Sequence, residues 1–180
     1  MIRLFIALNI PENVKDQLIL LRDFVAGANF KWESKEKLHL TIKFIGDTTE
    51  SNVEKIIYEL KFLEDYSTIS CSINDFGFFF RDKNPSILWA GIKVDDSLLE
   101  IIDKIESALE IFSIKKEKRK FHPHLTLLRI KKNPGNNFIN SFKNFKFEPI
   151  FFQANSISLY KSELKSTGSV YQEIKNYKLK

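Results

Sequence analysis

The tripeptide His-Leu-Thr occurs twice in this 180-residue chain, within His39-Leu40-Thr41-Ile42-Lys43-Phe44 and within Phe121-His122-Pro123-His124-Leu125-Thr126-Leu127-Leu128-Arg129. The chain has only three histidines, so chance is a poor explanation for two of them carrying one motif. Both stretches are predicted to be strands. Because side chains alternate between the two faces of a strand, each motif presents imidazole and hydroxyl on one face and leucine on the other. Two such strands side by side would line one groove with two imidazoles and two hydroxyls.

Strands and helices alternate along the rest of the chain, as hydrophobic periodicity indicates. Two strand pairs are predicted hairpins, one turning through residues 81–85 and one through Ser166-Thr167-Gly168. These hairpins favour an α+β fold with mixed or antiparallel sheets over a doubly wound parallel sheet. The predicted strands are residues 3–8, 38–45, 68–80, 87–94, 121–130, 151–160 and 169–174, the predicted helices are 11–25, 51–62 and 98–112, and residues 131–137 are a predicted polar loop.

Composition excludes several function classes. A single cysteine, Cys71, forms no internal disulfide and, with three histidines, no cysteine-rich zinc module, which points to the reducing cytoplasm. No apolar run approaches the length of a membrane span, and no signal peptide is evident, so we expect a soluble protein. Lysine and arginine number 28 against 23 for aspartate and glutamate, a net charge of +5. This mild excess favours polyanionic partners.

The paired motifs suit chemistry at phosphorus. An imidazole, with an unperturbed pKa of about 6.5, donates or accepts a proton near neutrality, and two of them can take opposite roles. Displacement at phosphorus needs a base on the attacking oxygen, an acid on the leaving oxygen and donors for the non-bridging oxygens. His39, His124, Thr41 and Thr126 fill these positions without a metal or another cofactor.

Three other interpretations stay open at this stage. Both histidines could simply satisfy hydrogen bonds of their strands. A zinc hydrolase could use His39, His122 and His124 as ligands, because His122 and His124 share one strand face. A non-catalytic RNA-binding module could use the aromatic residues together with the basic run at residues 115–120, which leads into the second motif.

The two stretches resemble the paired HxTx motifs of the 2′-5′ RNA ligase family, the RNA 2′,3′-cyclic phosphodiesterases of the two-histidine phosphoesterase superfamily. The resemblance extends along essentially the whole chain. Residues 3–8 are similar to the opening strand of the family, residues 88–91 to a central strand, and residues 159–164 with Gly168 and Tyr171 to the closing hairpin.

The resemblance implies a fold and a reaction. Residues 1–180 are expected to form a single bilobal domain with pseudo-twofold symmetry, helices on the outside and both motifs in a central cleft. The implied reaction is metal-independent hydrolysis of a terminal RNA 2′,3′-cyclic phosphate to a 2′-phosphomonoester, alongside ATP-independent 2′-5′ RNA ligation in related proteins. His39 is then the proton donor to the departing 3′ oxygen, His124 the proton acceptor, and Thr41 and Thr126 hold the phosphate.

The resemblance also implies partners and one further binding residue. We expect RNA ends with a 2′,3′-cyclic phosphate, such as tRNA halves, or small cyclic nucleotides as substrates, and a cytoplasmic monomer that does not bind membranes. Arg129 occupies a position where the family often has arginine, and its guanidinium suits a phosphate. On an ideal strand Arg129 faces away from His124, so it reaches the cleft only through a bulge, a twist or the end of the strand.

Overall fold

The structure is a computed structural model that describes residues 1–27, 30–166 and 168–180. These residues form eight strands and four α-helices, joined by loops and short 3₁₀ turns. In chain order the elements are β1 (Ile2–Asn9), α1 (Glu12–Ala26), β2 (His39–Thr48), α2 (Val53–Glu59), β3 (Ile69–Arg81), β4 (Asn84–Val94), α3 (Ser97–Leu109), β5 (His124–Arg129), α4 (Asn136–Asn144), β6 (Ile150–Ala154), β7 (Ser156–Lys165) and β8 (Gly168–Lys178).

The strands form two four-stranded sheets, in the orders β2-β1-β7-β8 and β5-β4-β3-β6. Every strand pairing within the described residues is antiparallel, so the α+β fold is confirmed and the sheets are antiparallel rather than mixed. Each sheet has one His-Leu-Thr strand at its edge, β2 in the first sheet and β5 in the second. The two motif strands lie against each other at the boundary between the sheets.

The two sheets repeat one another in register, which is the pseudo-twofold symmetry that the resemblance implied. Thr41 pairs with Ala7 and Lys43 pairs with Ile6, so Ile42 is an extra residue in β2. In the second sheet Leu127 is likewise the extra residue of β5, directly after the motif threonine. Both strands therefore contain a β-bulge at the same place.

The bulge decides which side chains face the cleft. An extra residue reverses the alternation that follows it, so the second residue after each bulge returns to the face of the motif histidine. These residues are Phe44 in β2 and Arg129 in β5, and both are exposed. The residues between, Lys43 and Leu128, are buried on the opposite face.

A continuous apolar core lies behind the motif strands. Leu40 and Leu125, the central residues of the two tripeptides, are 1% and 0% exposed. Helix α3 packs on β2 and helix α4 packs on β3, so the helices cover the faces that turn away from the motif side chains. No helix within the described ranges is long and apolar enough to cross a membrane.

One predicted strand is in fact two strands in different sheets. The prediction joined residues 151–160, but β6 ends at Ala154 and pairs with β3, while β7 begins at Ser156 and pairs with β1. Asn155 lies between them, and Ala154 and Ser156 on its two sides are both buried. The chain therefore passes from one sheet to the other within a single residue, which hydrophobic periodicity does not reveal.

The boundaries of two loops also differ from the prediction. The polar loop predicted at residues 131–137 gives way to α4, which buries Phe138, Ile139 and Phe142 despite its asparagine-rich sequence, because tertiary packing outweighs weak helix propensity. The β3–β4 hairpin turns at Asp82 and Lys83, which both have positive φ, as a two-residue turn of this type requires. In the predicted turn at Ser166-Thr167-Gly168, Thr167 lies outside the described residues.

A buried ion pair joins the first motif strand to the helix layer. Lys43 Nζ lies 2.5 Å from Glu106 Oε2 of α3 and donates to the carbonyl oxygen of Lys115 at 2.7 Å. The other carboxylate oxygen of Glu106 accepts a bond from the Glu117 backbone N–H at 3.3 Å. The side chains of Lys43 and Glu106 are only 5% and 9% exposed, so each charge depends on the other for its solvation.

We predict that Lys43→Met lowers the free energy of unfolding by about 3–5 kcal/mol, because it leaves the Glu106 carboxylate buried without its cation. Chemical denaturation of the purified variant measures this loss. Combining Lys43→Met with Glu106→Leu should recover most of it, because an apolar pair needs no desolvation of charge. A single variant as stable as the wild type would show that the pair contributes little to folding.

Candidate active site

The structure brings the four motif residues to one face of adjacent strands. His39, Thr41, His124 and Thr126 are all half-buried, and the leucine between each histidine and threonine is buried in the core behind them. A backbone bond from the N–H of Glu33 to the carbonyl oxygen of Leu127, 2.8 Å long, ties the segment before β2 to the bulge of β5. The cleft is therefore formed by residues of both sheets, and this hydrogen bond joins its two sides at the bulge of β5.

The His124 ring is held by the backbone of its own motif. Its Nδ1 lies 2.7 Å from the carbonyl oxygen of His122. A carbonyl oxygen only accepts hydrogen bonds, so Nδ1 carries the proton and the Nε2 lone pair of neutral His124 is available. The edge of the Phe79 ring supports the imidazole, with ring centroids 4.9 Å apart. His124 is therefore oriented as a base through Nε2.

The pKa of His124 lies below its usual value, which favours this role. Burial is the largest cause, the carbonyl of His122 acts in the opposite direction, and electrostatic interactions with the His122 ring and the Arg129 guanidinium lower the pKa further. A lowered pKa keeps the imidazole neutral, and so able to accept a proton, at neutral pH.

His39 occupies a more enclosed aromatic environment. Its ring stacks on Phe5 at a centroid distance of 5.0 Å and on Tyr160 at 5.7 Å, and it meets Tyr171 edge-on at 5.4 Å. Burial, with smaller contributions from the charges of Lys15 and Arg129, lowers the pKa of His39 to about 4. His39 is thus neutral in the empty cleft at pH 7, and it needs a nearby negative charge to become a proton donor.

Arg129 reaches the cleft through the bulge, one of the routes that strand alternation required. Its Nε lies 3.1 Å from Glu33 Oε1, and its charge lowers the pKa of both His39 and His124. The guanidinium therefore lies within electrostatic range of both imidazoles. Glu33 orients it through Nε, which leaves the two terminal nitrogens of the fork for an anion.

The third histidine, His122, is exposed and lies beside His124, with ring centroids 6.0 Å apart. Its ring packs edge-on against Trp89 and Phe79, at centroid distances of 4.9 and 5.3 Å, and its carbonyl orients His124. Within the part of the chain that the structure describes, no three or more histidine, cysteine, aspartate or glutamate side chains are placed to hold a metal ion. The zinc alternative therefore lacks its ligand set here.

Sequence reasoning missed several residues that shape this cleft. They include Glu33, Phe44, and the two rings that support the histidines, Tyr160 and Phe79. Tyr160 and Phe79 occupy equivalent positions in the two sheets. Tyr160 pairs with Phe5, which in turn pairs with Phe44. In the same way, Phe79 pairs with Ile87, which in turn pairs with Arg129. The alignment of the two motifs matches Phe44 with Arg129, but it does not show that Phe44 faces the cleft, because that depends on the bulge in β2.

The duplicated lobes and the paired His-Leu-Thr strands define a two-histidine phosphoesterase. The family described as LigT like Phosphoesterase matches residues 8–89 and 92–171. A Methanocaldococcus jannaschii protein named RNA 2′,3′-cyclic phosphodiesterase is 32% identical, over 97% of this chain and 99% of its own. A Thermotoga maritima protein of the same name is 29% identical, over 94% and 91%. This chain therefore belongs to the LigT-like phosphoesterase family.

Solved structures agree in fold. Escherichia coli LigT, crystallised as a complex with 3′-AMP, superposes with a TM-score of 0.76 at 21% identity, over 99% of this chain and 98% of that one. A Thermus thermophilus protein gives a TM-score of 0.78 at 22% identity, over 98% and 97%. At this identity the likeness supports the arrangement of the two lobes, whereas the roles of the residues are argued from the cleft itself.

We predict that His39 in the free protein titrates with a pKa of about 4, and that a bound phosphate monoester raises this value toward neutrality. An NMR titration of the imidazole ¹⁵N and ¹H signals measures both values and reports the tautomer of His124. In the same spectra neutral His124 should carry its proton on Nδ1. A His39 pKa at or above 6.5 without ligand would contradict the enclosed setting described here.

Proposed function

We propose that the chain hydrolyses RNA 2′,3′-cyclic phosphate ends to 2′-phosphomonoesters. The observation that carries the proposal is the unequal setting of the two imidazoles. His124 is fixed by a carbonyl with Nε2 available, and His39 is enclosed by aromatic rings within range of the same guanidinium. The names of the relatives support the same reaction, because those proteins are named RNA 2′,3′-cyclic phosphodiesterases.

The reaction uses the two histidines in opposite directions. Water attacks phosphorus and gives its proton to Nε2 of His124, while the bond from phosphorus to the 3′ oxygen breaks. Protonated His39 gives its proton to that oxygen, which leaves a 2′-phosphomonoester and a free 3′-hydroxyl. Thr41, Thr126 and Arg129 donate hydrogen bonds to the non-bridging oxygens, whose negative charge grows in the transition state.

The cyclic phosphate itself makes His39 a donor. In the empty cleft the positive charges of Lys15 and Arg129 oppose its protonation. A bound phosphate anion offsets those charges and favours the imidazolium. Substrate binding and protonation of His39 are therefore coupled, and the two imidazoles titrate as a pair in a bell-shaped rate profile.

The same geometry accommodates a second nucleophile. A ribose 5′-hydroxyl that takes the place of water would form a 2′-5′ linkage with loss of the 3′ oxygen from phosphorus, which is ligation without ATP.

Since each lobe supplies one histidine, residues 1–180 act as one bilobal unit and a monomer contains a complete site. The expected substrates are RNA ends with a cyclic phosphate, including tRNA halves, and small cyclic nucleotides.

Cys71, the lone cysteine, is buried with its pKa raised to about 12 by burial, which suits a reducing cytoplasm.

We predict that His39→Ala and His124→Ala each lower turnover of a 2′,3′-cyclic-phosphate dinucleotide by at least about 100-fold, because each removes one proton transfer. Product analysis with a chelator present should show a 2′-phosphomonoester from the wild type. His122→Gln is the matched control, because it keeps the backbone carbonyl that orients His124 and removes only a ring that packs edge-on against the His124 ring at a centroid distance of 6.0 Å, so we expect a small effect beside the alanine variants.

The control separates the proposed chemistry from its alternatives. A zinc enzyme would lose activity with chelator and in His122→Gln. A non-catalytic RNA-binding module would release no 2′-phosphate at all. Wild-type turnover in either alanine variant would contradict the acid–base assignment.

We predict that Arg129→Ala raises KM for the cyclic phosphate by about 10- to 100-fold, the usual contribution of a charge-assisted hydrogen bond. Arg119→Ala is the matched control, because Arg119 belongs to the basic run and its side chain is 89% exposed. Steady-state kinetics on a cyclic mononucleotide and on an oligonucleotide would compare the two variants. Equal effects of both variants on the mononucleotide would place Arg129 outside the phosphate site.

A further inference from the structure

The cleft face of the first sheet contains a row of side chains that the proposed reaction does not use. Phe44, Phe5, Tyr160 and Glu173 pair successively across β2, β1, β7 and β8. Adjacent strands lie about 4.8 Å apart, so the row spans about 14 Å from the edge of the cleft across the sheet. This base row, as we call the four residues, runs beside His39.

Three members of the base row form an aromatic surface. Phe5 stacks with Tyr160 at a centroid distance of 5.2 Å and lies 6.3 Å from Phe44, and Tyr171 packs edge-on against it at 4.9 Å. Phe5 is only 3% exposed, whereas Phe44 is 73% exposed. The buried Phe5 ring supports the Phe44 ring, which is tilted by 43° against it and is exposed, so a nucleobase can stack on Phe44.

The fourth member, Glu173, is an exposed carboxylate held in a fixed orientation. Its Oε2 accepts hydrogen bonds from Ser158 Oγ at 2.7 Å and from Asn176 Nδ2 at 3.3 Å. Ser158 is 0% exposed and accepts a bond from Asn9 Nδ2 at 2.7 Å, so the support is itself anchored in the sheet. Both bonds end on Oε2, so among the residues that the structure describes Oε1 is available to accept from other donors.

The second lobe shows that this arrangement is not a general property of the fold. The equivalent row contains Arg129, Ile87 and Phe79, with a cation where the base row has Phe44. A phosphate is attracted toward Arg129 and repelled by Glu173. The carboxylate therefore suits an uncharged part of the substrate that offers N–H donors, which in a nucleotide is the base.

We propose that the base row is a nucleobase subsite that selects guanine, an inference that rests on the proposed function. Guanine presents two adjacent donors, N1–H and the exocyclic amino group, and the two lone pairs of Glu173 Oε1 can accept from both. Adenine and cytosine place an acceptor nitrogen beside their amino group, and uracil places its single N–H between two carbonyl oxygens. Each of these three bases therefore sets at least one acceptor against Glu173, whereas guanine sets none.

The test is the base dependence of turnover. The kcat/KM of the wild type is measured on the 2′,3′-cyclic phosphates of guanosine, adenosine, cytidine and uridine, and we expect guanosine to be preferred about tenfold or more. Glu173→Gln should remove most of this preference and leave the other three substrates within about twofold. Glu163→Gln is the matched control, since Glu163 lies on the same hairpin and is paired with Lys161 at 2.6 Å.

Four outcomes overturn the inference. The first is equal kcat/KM of the wild type on the four substrates. The second and third are a Glu173→Gln variant that keeps the preference for guanosine, or a Glu173→Gln variant that slows turnover of all four substrates equally. The fourth is a Glu163→Gln variant that also loses the preference for guanosine. If the glutamine variant does not fold, the base preference of the wild type still decides.

The binding constants of the four nucleoside 2′-monophosphates separate this inference from the proposed function. Absence of turnover on every cyclic nucleotide would contradict the proposed reaction but would not contradict the proposed base subsite. Tighter binding of guanosine 2′-monophosphate, lost in Glu173→Gln, would still support the subsite, and equal binding of all four would reject it.

Discussion

One extra residue after each motif threonine determines what the cleft contains. Without the bulges at Ile42 and Leu127, strand alternation would direct Phe44 and Arg129 into the core and Lys43 and Leu128 into the cleft. The histidines would keep their places, but the site would lose the guanidinium that lies near both of them. The repeated motif thus places the two imidazoles, and the repeated bulge specifies their surroundings.

The same constraint makes the two lobes unequal where their sequences differ. At the first residue after the bulge the second lobe buries Leu128, whereas the first buries Lys43 and needs Glu106 and a backbone carbonyl to solvate it. At the next residue the first lobe exposes an aromatic ring and the second a cation. A symmetric scaffold therefore holds an asymmetric site, as a substrate with a base on one side and a charged phosphate on the other requires.

Sequence patterns predicted the parts of this structure that depend on local periodicity. The two tripeptides placed the histidines and threonines on one face, and the hairpins indicated antiparallel pairing. The face of Arg129 depends on a bulge, which no single strand pattern reveals, and α4 depends on burial that outweighs its asparagines. The sheet change at Asn155 and the bond from Asn9 to Ser158, which anchors the support of Glu173, are non-local, because their partners lie on strands that are distant in sequence.

The electrostatics of the cleft are consistent with the opposite roles that we propose for two similar imidazoles. Burial lowers the pKa of both, so on desolvation alone both would be bases. The carbonyl of His122 fixes the proton of His124 on Nδ1 and leaves Nε2 as an acceptor. His39 is instead surrounded by rings and by the positive charges of Lys15 and Arg129, which a phosphate anion offsets. In the proposed reaction the substrate itself thus completes the acid, which links proton transfer to the presence of the charge that the reaction acts on.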